Sequence, residues 1–190
     1  MRFIVPAALA FSFLAHPAGA EDAGTKAPRV ELDTTHGKIV LELDAAKAPE
    51  TTANFLQYAR DGHYDGLIFH RVIPGFMAQG GGYDTEYRQR PTRDPIVNES
   101  KNGLSNARGT IAMARTQIPN SATSQFFINL VDNARLDGNP SNWGYAVFGR
   151  VVEGMDTVDA IARIPTGPGG PFRTDVPQAP VVIKSAKVLD

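Results

Sequence analysis

Short apolar segments that alternate with polar residues recur along most of this chain, and they restrict its fold more than any other feature. Alternation with a period of two is typical of β-strands that bury one face. About eight such segments occur in the 190 residues, whereas only two segments, after Pro49 and after Glu153, carry apolar residues at helical spacing. The sequence therefore predicts a mainly β protein with two α-helices.

An antiparallel sheet is the arrangement that this order of short strands and turns favours. We expect a closed eight-stranded barrel, because closure removes exposed strand edges, with the two helices capping its ends. Residues 84–102 are polar and poor in periodic apolar positions, and they are predicted to be a loop. The same prediction is made for the Gly- and Pro-rich residues 167–180.

The first twenty residues differ from the rest. Arg2 precedes an apolar run over residues 3–15, which is short for a membrane span, and the small residues at 18–20 suit cleavage. This pattern is typical of a secretory signal peptide cut after Ala20, and an uncleaved N-terminal anchor is the alternative. We expect a signal peptide (1–20), a flexible leader (21–28), one folded domain (29–190) and a periplasmic location.

Composition excludes several kinds of chemistry. The chain has no cysteine, which rules out disulfides and thiolate catalysis, and its net charge of −1 gives no sign of nucleic-acid binding. No second long apolar run occurs, so no membrane contact is expected after cleavage. His36, His63 and His70 lack the spacing of a metal site, and no phosphate-binding glycine motif is present. We therefore expect neither a metal nor a cofactor.

The segment FHRVIPGFMAQGGG, residues 69–82, combines apolar side chains with one cation, Arg71, and one amide, Gln79. This mixture is typical of an apolar pocket that contains a few directed polar groups. A structural ion pair is one interpretation of Arg71. The other is catalysis of rotation about an X–Pro bond, since a guanidinium that donates to the prolyl nitrogen weakens amide resonance, the source of the rotational barrier.

Serine hydrolysis is the competing enzyme hypothesis. The chain lacks the G-x-S-x-G motif, and Ser124 stands beside Gln125 with no base nearby in sequence. Because a catalytic triad is assembled in space, this alternative stays open at the level of sequence.

Five motifs, in order, closely resemble those of the cyclophilin family of peptidyl-prolyl isomerases, most of all its bacterial periplasmic branch. They are FHRVIPGFMAQGG at 69–81, GTIAMAR at 109–115, SATSQFFINL at 121–130, LDG at 136–138 and YAVFGRVVEGMD at 145–156. The resemblance covers nearly the whole chain after Pro28. It implies an eight-stranded barrel with two helices and an isomerase that helps exported proteins to fold.

The resemblance also implies residue roles. Arg71 matches the catalytic arginine, and Gln79 matches the glutamine that holds this arginine and the substrate backbone. Gln125 matches a further polar residue of the groove. The remaining matches are the proline-pocket wall, namely Phe76, Met77, Phe127 and Leu136, and a substrate-pairing edge, namely Ala114, Arg115 and Thr116. The family's usual pocket histidine has no clear counterpart in this sequence, and Tyr145 is assigned to its place. Ordinary barrel core is the alternative for Phe76, Phe127 and Tyr145.

One departure from the family pattern concerns the position where many members carry tryptophan, which is Arg135 here. Trp143, the only tryptophan, does not match it. We therefore expect weak binding of the apolar cyclic drug cyclosporin. The expected partners are proline-containing, unfolded or partly folded polypeptides, and the expected state is a monomer. A proline-peptide-binding module or holdase chaperone with the same pocket is the alternative from another functional class.

Overall fold

The structure, a computed structural model, describes residues 26–189. Within this range the chain forms ten β-strands, two α-helices and a short 3-10 helix, Ala134–Leu136. The helices are α1 (Pro49–Arg60) and α2 (Met155–Ala162). The strands are β1 (Arg29–Thr34), β2 (Gly37–Leu43), β3 (Arg71–Ile73), β4 (Met77–Gly80), β5 (Thr110–Met113), β6 (Phe126–Asn129), β7 (Val147–Glu153), β8 (Thr166–Gly169), β9 (Phe172–Pro177) and β10 (Ile183–Leu189). The predicted signal peptide and most of the predicted leader lie outside the described residues.

Eight strands form one antiparallel sheet in the order β10-β1-β2-β7-β5-β6-β4-β3. The mainly β architecture with two helices is therefore confirmed, but the prediction of a closed barrel is wrong, because the sheet is a curled half-barrel. Its end strand β3 is only three residues long. The chain before β3 reaches the β10 end through a single isolated bridge, Ile68 to Val182, with flanking backbone hydrogen bonds. No ladder joins the two ends within the described residues.

The second correction concerns residues 167–180, which were predicted to be a loop. They contain most of a two-stranded hairpin, β8 and β9, that shares no hydrogen-bonded ladder with the main sheet. Gly170, with a φ of +50°, allows the turn between the strands. Proline is tolerated at the edge of such a small sheet because it removes no hydrogen bond from a central ladder. The abundance of Gly and Pro therefore led to the wrong prediction of a loop.

The large core lies on the concave face of the sheet and is covered by α1. Pro49 begins α1 at a position where its missing N–H does no harm, and the Glu99 carboxylate accepts hydrogen bonds from the first backbone amides of the helix. Phe55 of α1 packs against Phe126 and Phe148, at ring-centroid distances of 5.5 and 5.2 Å. Neither helix of the described chain is long and apolar enough to cross a membrane.

Candidate active site

A row of side chains crosses five neighbouring strands on the face of the sheet opposite the large core. Cross-strand pairing places its members in the order Arg71, Gln79, Phe127, Ala112 and Val147. Directly paired residues project from the same face, whereas chain neighbours project from opposite faces. Phe126 and Ile111 accordingly belong to the large core. The register of β3 to β7 thus brings residues far apart in sequence to one surface.

The apolar members of this row form a second, smaller hydrophobic cluster. Its buried residues are Met77, Ala112, Phe127 and Val147, and its half-buried residues are Ile73, Phe76, Leu104, Ala114, Leu136 and Tyr145. The four predicted pocket-wall residues and Tyr145 are therefore brought together, and Ala114 joins them. The sequence interpretation missed Ile73, Leu104, Ala112 and Val147. Strand alternation indicates that Ala112 and Val147 point to one face of the sheet, but only the register between strands shows that they share it with Phe127.

Arg71 stands at one end of the row, next to this apolar cluster. Its side chain is 42% exposed, and its Nε lies 3.7 Å from Oδ2 of Asp175 on β9. The preceding residue, His70, is buried between Tyr83 and Phe172. Burial, together with the nearby charge of Arg71, lowers the pKa of His70 to about 4. His70 is therefore neutral at pH 7, and the exposed positive charge at this position belongs to Arg71.

Two glutamines continue the polar side of the site. Gln79 donates a hydrogen bond from Nε2 to Oε1 of Gln125 at 2.9 Å. Within the described residues, no side-chain hydrogen bond joins Gln79 to Arg71, although the two are directly paired across β3 and β4. A side chain at the nearby Gly82 would clash with Gln125, because a Cβ there would lie 2.6 Å from the Gln125 side chain. Part of the glycine run thus makes space for this amide pair.

The predicted substrate-pairing edge lies just after β5. The amide of Ala114 donates to the carbonyl of Gln125, and the amide of Thr116 donates to Oγ of Ser121. These two amides are already occupied, so a substrate backbone has fewer free partners along this edge than the resemblance implies. The backbone of Arg115, between them, makes no hydrogen bond to another described residue.

A buried amide network that sequence reasoning missed holds the pocket wall. Asn133 donates to the carbonyl of Phe76 at 2.9 Å and to Oδ1 of Asn129 at 2.8 Å. Asn129 in turn donates to Oδ1 of Asn106 at 3.2 Å. Burial opposes ionisation of Asp137, but hydrogen bonds from Asn106 and Ser105 together outweigh it and lower the pKa of Asp137. The network ties the Phe76 turn to the segment that carries Leu136.

Ser124 does not have the surroundings of a nucleophile. It is fully buried, and its hydroxyl donates to the carbonyl of Gly81 at 2.9 Å. Among residues 26–189, no group of three or more His, Asp or Glu side chains is placed where it could hold a metal ion. The described site therefore consists of a cation, amides and an apolar cluster.

Comparison with known proteins decides the family. The model of the cyclophilin type peptidyl-prolyl cis-trans isomerase family matches residues 29–188. The chain belongs to the cyclophilin family. A peptidyl-prolyl cis-trans isomerase of Streptomyces antibioticus is 58% identical over 163 residues, which are 84% of this chain and 98% of the relative. Isomerase B of Escherichia coli is 53% identical over 164 residues, covering 85% of this chain and 99% of that protein.

Solved structures agree with this membership. A crystal structure of a cyclophilin type isomerase from Cryptosporidium parvum superimposes with a TM-score of 0.67 at 27% identity, covering 86% of this chain and 98% of that one. A second structure of that protein, solved in the presence of the dipeptide Ala-Pro, gives a TM-score of 0.66 at 28% identity, with coverages of 85% and 99%. The present chain is a cyclophilin-type peptidyl-prolyl cis–trans isomerase.

Arg115 gives this cyclophilin an anchor for one wall of the pocket. Its guanidinium donates to the carbonyls of Gly144 and Trp143, at 2.9 Å each, and lies 4.7 Å from the ring centroid of Tyr145. Tyr145 meets Phe127 edge to face at 5.6 Å. The side chain of Arg115 thus holds the loop that carries Tyr145, a role the sequence did not reveal.

The departure at Arg135 also has a definite place. Its guanidinium lies 4.7 Å from the ring centroid of Phe76, at the rim of the apolar cluster. Trp143 is 45% exposed and its ring faces Lys101 instead. A cation therefore stands over the Phe76 ring, where an aromatic side chain would have extended the apolar surface.

Proposed function

We propose that Arg71 is the catalytic residue of this isomerase and that the cluster around Phe127 binds the proline ring. The observation that carries the proposal is the cross-strand row, which sets a half-exposed guanidinium beside a cluster of apolar side chains. The pocket wall consists of Phe76, Met77, Phe127, Leu136 and Tyr145. When a proline ring binds at this cluster, the ring nitrogen lies next to the guanidinium of Arg71.

The chemistry needs no covalent step. The barrier to rotation, about 18–20 kcal/mol, comes from delocalisation of the nitrogen lone pair into the carbonyl. A hydrogen bond from Arg71 to the prolyl nitrogen localises this lone pair and therefore stabilises the twisted transition state more than either planar isomer. Gln79 and Gln125 bind the substrate backbone beside the arginine, and the edge at Ala114, Arg115 and Thr116 pairs with the peptide.

The test is Arg71→Ala in a protease-coupled assay on an Ala-Pro-Phe anilide. We expect kcat/KM to fall by at least about 100-fold, the equivalent of about 2.7 kcal/mol of transition-state stabilisation. Arg173→Ala, which removes an exposed arginine from β9, is the control and should stay near wild type. Near-wild-type turnover by a folded Arg71→Ala protein would contradict the assignment. Absence of acceleration by wild type would instead favour the binding-module hypothesis.

We further propose that the substrates are X–Pro bonds in unfolded or partly folded exported proteins, and that the enzyme acts as a periplasmic monomer. The support is the signal-peptide pattern of the first twenty residues, with its single base, short apolar run and small-residue cleavage site. Amino-terminal sequencing of protein from a periplasmic fraction should give Glu21 as the first residue. Membrane-bound protein that retains residues 1–20 would support the uncleaved anchor instead.

Weak cyclosporin binding is proposed on the basis of Arg135. A charged guanidinium over Phe76 must be desolvated when an apolar ring covers it, which costs binding free energy. Inhibition by cyclosporin should require concentrations above 1 μM, and Arg135→Trp should bind about tenfold more tightly. Inhibition of the wild-type protein below about 1 μM would contradict this proposal.

A further inference from the structure

The β8–β9 hairpin brings one carboxylate to the cation of the site. We propose that Asp175 is a positioning residue that orients the guanidinium of Arg71 for the reaction. The inference rests on the catalytic role proposed for Arg71. It adds a further residue, from a segment that the sequence predicts to be a loop, to the machinery of the same site.

The first observation is the contact. Oδ2 of Asp175 lies 3.7 Å from Nε of Arg71, and both side chains are partly shielded, with exposures of 32% and 42%. Within residues 26–189, Asp175 is the one acidic side chain in ion-pair distance of Arg71, and the guanidinium makes no hydrogen bond to another protein group. The arginine is therefore steered by a single anion.

The second observation is the backbone of Asp175. Its φ is +68°, and Tyr87 is the other non-glycine residue of the described chain with a positive φ. Left-handed residues cost free energy and persist only where their surroundings hold them, and they cluster at functional sites. Asp and Asn tolerate this conformation better than most residues. The residue type and its conformation thus agree, and the result is a carboxylate directed at Arg71.

The third observation is that the hairpin is fixed. Phe172 of β9 packs against His70 and Tyr83, with ring centroids 5.4 and 5.1 Å apart. Tyr87 fills the space beside Gly169 and Gly170, where a Cβ would overlap its ring. These contacts join β9 to the residues on either side of β3 and β4. Asp175 is therefore held in place by packing.

The role follows from the geometry of the guanidinium. Arginine carries five N–H donors in one plane, and its long side chain has many rotamers when half exposed. An anion on the Nε side restricts those rotamers and leaves both Nη groups free to donate to a substrate. No proton is transferred, because the guanidinium stays charged throughout.

The test is Asp175→Asn, which keeps the side-chain shape and suits a left-handed backbone but removes the charge. Asp94→Asn, at an exposed loop position, is the control for lost charge. On an uncharged acetyl-Ala-Ala-Pro-Phe anilide we expect kcat to fall about fivefold with KM within about twofold, since partly exposed ion pairs have modest effects. Added 1 M NaCl should lower the wild-type rate towards the variant and leave the variant nearly unchanged.

A double-mutant cycle separates positioning from a structural role. In an Arg71→Lys background, Asp175→Asn should have less effect than in wild type, because the two residues act as a unit. An equal fold-change in both backgrounds would overturn the proposal, as would Asp175→Asn with wild-type kcat/KM at low salt. If Asp175→Asn does not fold, the rate of hydrogen exchange at Nε–H of Arg71 in the wild-type protein tests the proposal instead. Exchange slowed at low salt supports the ion pair, and exchange as fast as in free arginine overturns it.

These outcomes are distinct from failure of the proposed function. If Arg71→Ala retains turnover, the catalytic role of Arg71 is wrong whatever Asp175→Asn does. If Arg71→Ala collapses while Asp175→Asn is unchanged, only the positioning role is wrong.

Discussion

Phe126 and Phe127 are chain neighbours on β6, yet they belong to different regions of the molecule. Phe126 faces the large core and meets Phe55, Tyr64 and Phe69 edge to face, at centroid distances of 5.5 to 5.9 Å. Phe127 faces the other way and meets one ring, Tyr145. The core face is covered by α1 and completed by aromatic contacts. Within the described residues, the buried apolar side chains of both α-helices belong to the large core, and none belongs to the cluster on the site face.

If the proposed site is right, the difference teaches that stability and chemistry lie on opposite faces of one sheet. On the core face, the aromatic side chains pack against one another. The site face combines four buried residues with a half-exposed arginine, two glutamines and a carboxylate contributed by a separate hairpin. Variants that affect one face should therefore leave the other largely intact.

Matched alanine variants of the two phenylalanines give the largest expected effect. Phe126→Ala should lower the free energy of unfolding by about 3–5 kcal/mol, because it leaves a cavity among packed rings. Its folded fraction should keep kcat/KM within about threefold of wild type. Phe127→Ala should lose less stability but reduce kcat/KM by at least about tenfold. Urea titration and the isomerase assay measure both quantities, and equal stability losses with equal activity losses would contradict the division.

The second prediction concerns His70, the buried neighbour of Arg71, and the pH dependence of the free energy of unfolding. Its pKa is about 4 in the folded protein, below the usual value of 6.5, so the unfolded chain binds the proton first. The free energy of unfolding should therefore fall as pH drops from 6.5 to about 4, by up to about 1.4 kcal/mol per pH unit from this residue.

His70→Gln should reduce this slope, measured by urea unfolding between pH 7 and pH 4.5. The wild-type protein, unfolded by urea under the same conditions, is the reference for this slope. An unchanged slope in folded His70→Gln would mean that other groups govern the acid sensitivity.

A variant in the buried amide network should affect both stability and activity, but each by less than the variants above. Asn129→Ala removes the acceptor of Asn133 and the donor to Asn106, so it should cost about 1–3 kcal/mol of stability. It should also lower kcat/KM several-fold, because Asn133 no longer holds the Phe76 turn firmly. Asn142→Ala, at an exposed loop position, should change neither quantity. Loss of stability with full activity would show that the network does not support the pocket.

The elements that could be predicted from sequence are those with a strong local signal. Alternation predicted the strands of the main sheet, and Pro49 predicted the start of α1 correctly. The residues of the pocket wall came from motifs, and the structure brings all of them together. Which side chains share the row with Arg71 could not be predicted, because this depends on the register of five strands, and Ala112 and Val147 were accordingly missed.

Other features failed for distinct physical reasons. The hairpin of β8 and β9 was missed because Gly and Pro are common in loops, whereas a small edge sheet tolerates both. Barrel closure was predicted from strand number, but the short β3 leaves only one bridge at that end. The contacts of Arg115 with the 143–145 loop and of Asp175 with Arg71 depend on tertiary packing between segments that are distant in sequence, so no local pattern indicates them.

The central claim is that the peptide binds along the row from Arg71 to Val147 on the site face. Its most direct test is an NMR titration of the amide resonances with an unlabelled Ala-Ala-Pro-Phe peptide. The account predicts shifts concentrated at Arg71, Gln79, Ala112 and Phe127, extending to the loop of Tyr145, with small shifts at α1 and β10. Shifts concentrated elsewhere on the domain, with none along the row, would contradict it.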